Sequence, residues 1–152
     1  MSTSSPVKAE EMDVLLKRAV EFHGHLGPFL VLGLRMGLIG LRELNAKRRE
    51  KKLRVTAKLK YSIPFSCVVD GLQIATKCTM GNKKLRIRNY SGIEAKFEIE
   101  GGKQVTVAVN SALFDTLKRE LPSGNVPSEE IRELARIVAS TPEEELFTIS
   151  RG

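Results

Sequence analysis

The chain has 152 residues, 41% of them hydrophobic and 28% charged, with two cysteines and no tryptophan. That length supports one core and excludes a large multidomain enzyme, and the composition excludes a disordered or fibrous protein. The formal charge of +7 is unevenly placed: residues 42–88 hold 14 basic and 3 acidic residues, a local +11, and the remainder nets −4. Such a field attracts nucleic acid, an anionic small molecule or an acidic protein without choosing among them.

Residues 1–7 are Ser-rich and read as a disordered tail, leaving 8–152 as the folded domain. Over 7–22 the apolar residues Met12, Leu15, Leu16, Ala19 and Val20 recur at helical spacing, which predicts a surface helix that delivers His23 to its C-terminal end. Pro28 opens a second helix, apolar on nearly every side as far as Arg42. Gly33, Gly37 and Gly40 form one stripe of that helix without side chains, so another element can approach closely. The apolar run from Phe29 to Leu41 is interrupted by Arg35 and is shorter than the roughly 20 residues of a bilayer span, so it reads as a buried helix.

Residues 45–52 read as a basic loop or a frayed helix end. Leu53, Val55, Ala57, Leu59 and Tyr61 then alternate with Arg54, Thr56, Lys58 and Lys60, the pattern of a half-buried strand with a cationic face. Ile63-Pro64 interrupts it, and Ser66 is placed to cap a short helix over 66–76. Three strands follow at 85–89, 93–99 and 105–109, the last two joined by a hairpin at Gly101-Gly102. Helices over 110–121 and 128–139 flank a loop at 122–127, and Thr141-Pro142-Glu143-Glu144 has the capping pattern of a short terminal helix. Clustered strands followed by helices predict an α+β domain with a mixed or antiparallel sheet, covered by helices on at least one face.

The chemistry-bearing residues fall in two segments. His23-Gly24-His25 holds both histidines of the chain where the first helix ends, and imidazole is the commonest metal ligand. Cys67 lies in the first turn of the 66–76 helix, where the dipole favours a thiolate, with Asp70 three residues on along the same face. Cys78 follows that helix. Two cysteines are too few for a disulfide framework and no leader pattern opens the chain, so an intracellular, cytoplasmic protein is expected. The residues alone leave three readings open. One is a metal site of Cys67 and Cys78 with His23 or His25. Another is a redox pair, with Cys67 attacking and Cys78 resolving. The third is a nucleic-acid surface over 42–60, which lacks the interleaved aromatics of a single-strand reader. Arg35, the only charge inside an apolar helix, needs a partner: Asp70, an anionic ligand or the surface.

Phe22-His23-Gly24-His25-Leu26-Gly27-Pro28, continuing to Gly33, Arg35 and Gly37, resembles the first sequence block of the FmdE family of formylmethanofuran dehydrogenase proteins. Cys67-Val68-Val69-Asp70-Gly71-Leu72-Gln73 with Thr76-Lys77-Cys78-Thr79-Met80-Gly81-Asn82 resembles its second, and Gly92 with Ala95-Lys96-Phe97 resembles the strand that comes next. The resemblance implies a thioredoxin-like core, a five-stranded mixed sheet flanked by helices, and a homodimer. It also implies an association with molybdenum or tungsten enzymes of one-carbon metabolism in anaerobes. The metal it implies, zinc first, would be held by His23, His25, Cys67 and Cys78, with Asp70, Gln73, Thr79 and Arg35 orienting these groups or touching a ligand. Two departures stand out: Gly27 occupies the place of the family's first-block cysteine, and the cysteines of a C-terminal zinc ribbon are missing. The expected partners are an anionic small molecule or an acidic redox enzyme, and neither a membrane nor nucleic acid.

Overall fold

A computed structural model describes residues 9–48, 50–121 and 128–152; the tail expected over 1–7 and the loop expected over 122–127 lie outside the described residues. The elements in chain order are α1 (Ala9–His23), α2 (Pro28–Leu44), β1 (Leu53–Lys58), α3 (Cys67–Thr76), β2 (Leu85–Arg88), β3 (Glu94–Ile99) and β4 (Gln104–Val109). They are followed by α4 (Ser111–Glu120), α5 (Ser128–Ser140), α6 (Glu143–Leu146) and β5 (Phe147–Arg151).

The five strands form one sheet in the order β2-β1-β3-β4-β5, with β1 and β2 parallel and every other pair antiparallel. This is the mixed sheet of an α+β protein. The parallel pair requires a crossover, and α3 supplies it. Register aligns Val55 with Phe97, Ala57 with Ala95 and Ile87, and Phe97 with Val105, so one face is apolar. The alternate positions Arg54, Lys58, Glu94, Lys96 and Glu98 form the other face, where Lys58 and Glu94 pair at 3.5 Å.

Helix α2 lies on the apolar face, buried along most of its length because hardly any of its positions is polar. Gly40 is the position where the Phe97 ring meets the helix backbone, and a Cβ there would overlap the ring. Farther up the same helix, Gly33 faces the Val68 carbonyl, while Gly71 of α3 faces the backbone of Leu30 and Leu34. The glycine stripe thus brings α2 and α3 into backbone contact, which no other residue permits. The packing α2 makes with α3 is the most extensive between any two described elements.

Four local expectations are revised. The terminal helix is a single turn, and 147–151 is instead a fifth strand antiparallel to β4, pairing Val109 with Phe147 and Val107 with Ile149. The first strand ends at Lys58, although Leu59 N–H still bonds the Arg88 carbonyl at 3.0 Å. Ser66 makes no side-chain cap, because its own backbone is already helical and the N–H groups of Val68 and Val69 are taken by the Phe65 and Ser66 carbonyls at 3.1 and 3.0 Å. Arg35 neither reaches Asp70 nor snorkels to solvent. Its guanidinium donates to the carbonyls of Val138 at 2.8 Å and Thr141 at 2.6 Å, satisfying acceptors that the C-terminal end of α5 leaves unpaired. No described helix is long and apolar enough to cross a membrane.

Candidate functional site

Helix α1 stops because Gly24 adopts φ +108°, a left-handed conformation, while its N–H closes the last turn on the Val20 carbonyl at 2.7 Å. His23 is therefore the last helical residue and His25 starts the link to Pro28. Their rings lie 4.6 Å apart between centroids, tilted by 41°.

Helix α3 presents Asp70 to this turn. His23 Nδ1 lies 2.6 Å from Asp70 Oδ2, the other carboxylate oxygen accepts from Gln73 Nε2 at 3.2 Å, and Gln73 Oε1 accepts from Met80 N–H at 3.0 Å. Asp70 and Gln73 share a helix face because they are three residues apart. The chain Met80–Gln73–Asp70–His23 fixes the carboxylate and through it the imidazole. In the tautomer that donates Nδ1–H to Asp70, Nε2 is the ring atom that carries the lone pair. That Nε2 atom is buried and has no hydrogen-bond partner.

His23, His25 and Cys67 border a cavity of about 320 Å³. The rest of its wall is apolar, with Phe29 from the first turn of α2, Ile63 and Pro64 from the β1–α3 loop, Leu121 after α4 and Ile131 from α5. Burial, with the Asp70 charge in second place, pushes the Cys67 thiol up to about 11. The helix dipole expectation of a thiolate is thereby overturned: desolvation outweighs the dipole, and Cys67 is a neutral thiol at pH 7. Burial, and then the proximity of His23, lower the pKa of His25.

Of the remaining sequence candidates, Cys78 lies two residues beyond the C-terminal end of α3, while Cys67 begins that helix. Ten helical residues separate the ends by about 15 Å. Both thiols are free, and the Cys78 Sγ is buried 3.5 Å from the Leu53 carbonyl. The structure therefore assembles neither the expected four-ligand set nor the dithiol pair. Thr79 closes a turn with Asn82, accepting from its N–H at 2.9 Å, and is absent from the described cavity wall. Among the described residues no three His, Cys, Asp or Glu side chains already converge on one metal-binding point. Sequence reasoning missed Ile63, Leu121 and Ile131. The isoleucine before Pro64 carried a signal, because a large apolar residue in a loop needs a reason.

The sequence model of FmdE, described as the molybdenum formylmethanofuran dehydrogenase operon family, matches residues 22–148, most of the chain. The chain belongs to the FmdE family. A tungsten formylmethanofuran dehydrogenase FmdE-like protein of Syntrophus aciditrophicus superposes with a TM-score of 0.55 at 17% identity, covering 99% of this chain and 77% of that one. At that identity the likeness speaks for the fold. A probable S-adenosyl-L-methionine-binding protein of Archaeoglobus fulgidus is 41% identical over 71 residues, 47% of this chain. The matched stretch spans only 19% of that relative. Family membership gives position 27 a structural meaning. Gly27 has ordinary extended backbone, and a Cβ there would stand 3.5 Å from His25 Nε2 and 3.6 Å from Ile131 Cγ2. A side chain at that position reaches the same cavity.

Proposed function

We propose that this FmdE domain binds a transition-metal ion, zinc first, together with a small ligand in the cavity at His23, as a cytoplasmic accessory component of a formylmethanofuran dehydrogenase-type system. The observation that carries the reading is His23 Nε2, a buried nitrogen without a partner whose ring is held from behind by Asp70. A carboxylate on one ring nitrogen and a free lone pair on the other is the outer-shell arrangement of metal-ligating histidines. A closed four-ligand site is not what we propose, since Cys78 lies beyond the far end of α3 from Cys67; His23, His25 and Cys67 would have to draw together around an ion to hold it on three protein groups with an open position. His23 supplies Nε2, and His25 and Cys67 border the same cavity. Cys67 must lose its proton to join them, so metal uptake releases a proton. A bound zinc supplies Lewis-acid polarisation of a ligand carbonyl. Asp70 and Gln73 fix the imidazole, and the apolar wall excludes water.

Elemental analysis of protein purified without chelators or an affinity tag tests this. We expect close to one equivalent of metal, retained against dialysis and lost in His23→Ala; less than about a tenth of an equivalent, unaltered by the substitution, refutes the reading. Asp70→Asn should weaken metal binding by roughly 10- to 100-fold without removing a ligand. The name of the Archaeoglobus relative raises S-adenosyl-L-methionine as a ligand, but its sulfonium, ammonium and carboxylate groups need counter-charges that the described cavity wall does not carry. We also propose a homodimer, supported by the exposed Phe22 near the end of α1 and measurable by light scattering.

A further inference from the structure

We infer that the protein lining of the cavity, apart from any bound metal, selects an uncharged small molecule with an apolar body and one hydrogen-bonding head directed at His23, and disfavours the anion that the charge of the chain suggests. The inference rests on the cavity being the ligand site proposed above and concerns what that site accepts.

Its first support is the wall. None of the described residues that line the cavity is Asp, Glu, Lys or Arg. The nearby carboxylate, Asp70, already accepts from His23 and Gln73. The second support is where the cations went. Arg35 serves the end of α5, Arg42 forms a two-point pair with Glu143 at 2.7 and 2.9 Å, and Arg48 donates to the Ile74 and Ala75 carbonyls. Arg86 and Arg88 are exposed on the edge strand β2, away from the cavity wall. Without a metal, a carboxylate or phosphate entering this cavity would surrender its hydration and meet no charged side chain among the described lining residues. An uncharged amide or alcohol gives up little and can donate to the unpartnered Nε2. The third support is Ile63, which lines the cavity and is nevertheless 86% exposed. An apolar ligand body is the kind of surface that would cover it.

The test uses a matched set on one ring: benzamide, benzoate and benzylammonium, titrated calorimetrically at pH 7. Each is titrated into the full chain as purified and again with EDTA, so that a metal cannot lend the carboxylate a counter-charge. With EDTA, benzamide should bind at least about tenfold more tightly than either ion. Gly27→Val should abolish that binding. Gly27 lines the cavity and a Cβ there makes only ordinary contacts, so the melting temperature should hold. Ile63→Ala, at an exposed position that cannot unfold the chain, should weaken benzamide severalfold. Benzoate binding as tightly as benzamide, no benzamide binding, or benzamide binding indifferent to both substitutions would overturn the inference. A zinc titration of the same preparation separates the two claims. Absent zinc binding with benzamide selectivity intact defeats the metal reading alone, and zinc binding without that selectivity defeats the ligand class alone.

Discussion

The close contact of α2 and α3 makes Gly71→Ala a sharp test, because two effects of opposite sign compete there. Helix propensity alone favours Ala over Gly by about 1 kcal/mol in a helix interior. Against it, the new Cβ would overlap the Leu30 carbonyl and the Leu34 nitrogen. Both are backbone atoms of a buried helix, so no side chain can swing aside. Relief requires α2 and α3 to part by about 1 Å to reach normal carbon contact distances. Overpacking of this kind costs about 3 kcal/mol or more, at the upper end for core insertions. The net destabilisation is then about 2 kcal/mol, a fall in melting temperature of roughly 4–8 °C for a chain of this size. The displacement would also move Asp70, the neighbour of Gly71, relative to His23 and lengthen their 2.6 Å contact. Differential scanning calorimetry of wild type, Gly71→Ala and Gly27→Ala checks the reasoning, the last being a control whose Cβ meets only ordinary contacts. A melting temperature of Gly71→Ala equal to or above wild type would mean that propensity wins and that the helices are not in backbone contact.

Gly27→Cys restores the residue type of the resembled family pattern beside His25 and should tighten zinc binding by at least about tenfold in a competition titration, since a thiolate is a strong zinc ligand. In metal-free protein Cys67, with its thiol pushed up to about 11, should be alkylated slowly by iodoacetamide at pH 7 and faster at each step towards that value, as mass spectrometry can follow. Oxidation should leave the mass of the monomer free of any two-hydrogen loss, because Cys67 and Cys78 lie at opposite ends of α3. The pairing with Arg151 holds the Glu43 carboxyl below its ordinary pKa, and Arg42 does the same for Glu143. Depressed carboxyl values in the folded state stabilise it above the unfolded pKa of about 4.3, and that contribution is lost as pH falls through the folded values. Urea melts between pH 6 and 3 should therefore show an acid limb that is flatter in Glu143→Gln.

How far the sequence spoke depended on whether a residue's role is local. Helix α2 was legible because its composition is extreme and its glycines recur on one face, so burial and close approach follow from the pattern alone. β1 was legible from strict alternation. β5 was not, since five residues beginning Phe-Thr-Ile-Ser-Arg have a strand pattern only once β4 offers an edge to pair with. The contact of Asp70 with His23 lay within reach because both belong to the two motif blocks. Arg35 and Cys78 belong to the same blocks and went elsewhere, Arg35 because the end of α5 docks over α2, and Cys78 because α3 is long enough to carry it away from Cys67. The first fact depends on a segment a hundred residues downstream, which no local pattern encodes. Cys67 misled differently: its position in the first turn was read correctly, but the sign of its pKa shift is set by burial.

The lining of the cavity also bears on the ligand class, which the charge of the chain alone leaves open. The cavity is bounded by the places where elements stop: the end of α1, the entry to α2, the β1–α3 loop and the end of α4. Element ends carry little periodicity, so their residues are chosen by what they face, and here they face the apolar first turn of α2. A charged side chain in that wall would have to be buried against Phe29 and Leu30 without a partner, at a cost of several kcal/mol. Of the central cations, Arg48 serves the end of α3, Arg42 and Lys58 form ion pairs, and Arg86 and Arg88 lie on the outer strand, while polar recognition in the cavity falls chiefly to the His25 ring, the Cys67 thiol and the one imidazole nitrogen that Asp70 leaves free. Selectivity should then follow the Asp70–His23 contact rather than ionic strength, so raising salt from 50 to 500 mM should change ligand affinity by less than about twofold, whereas Asp70→Asn should change it at every salt concentration.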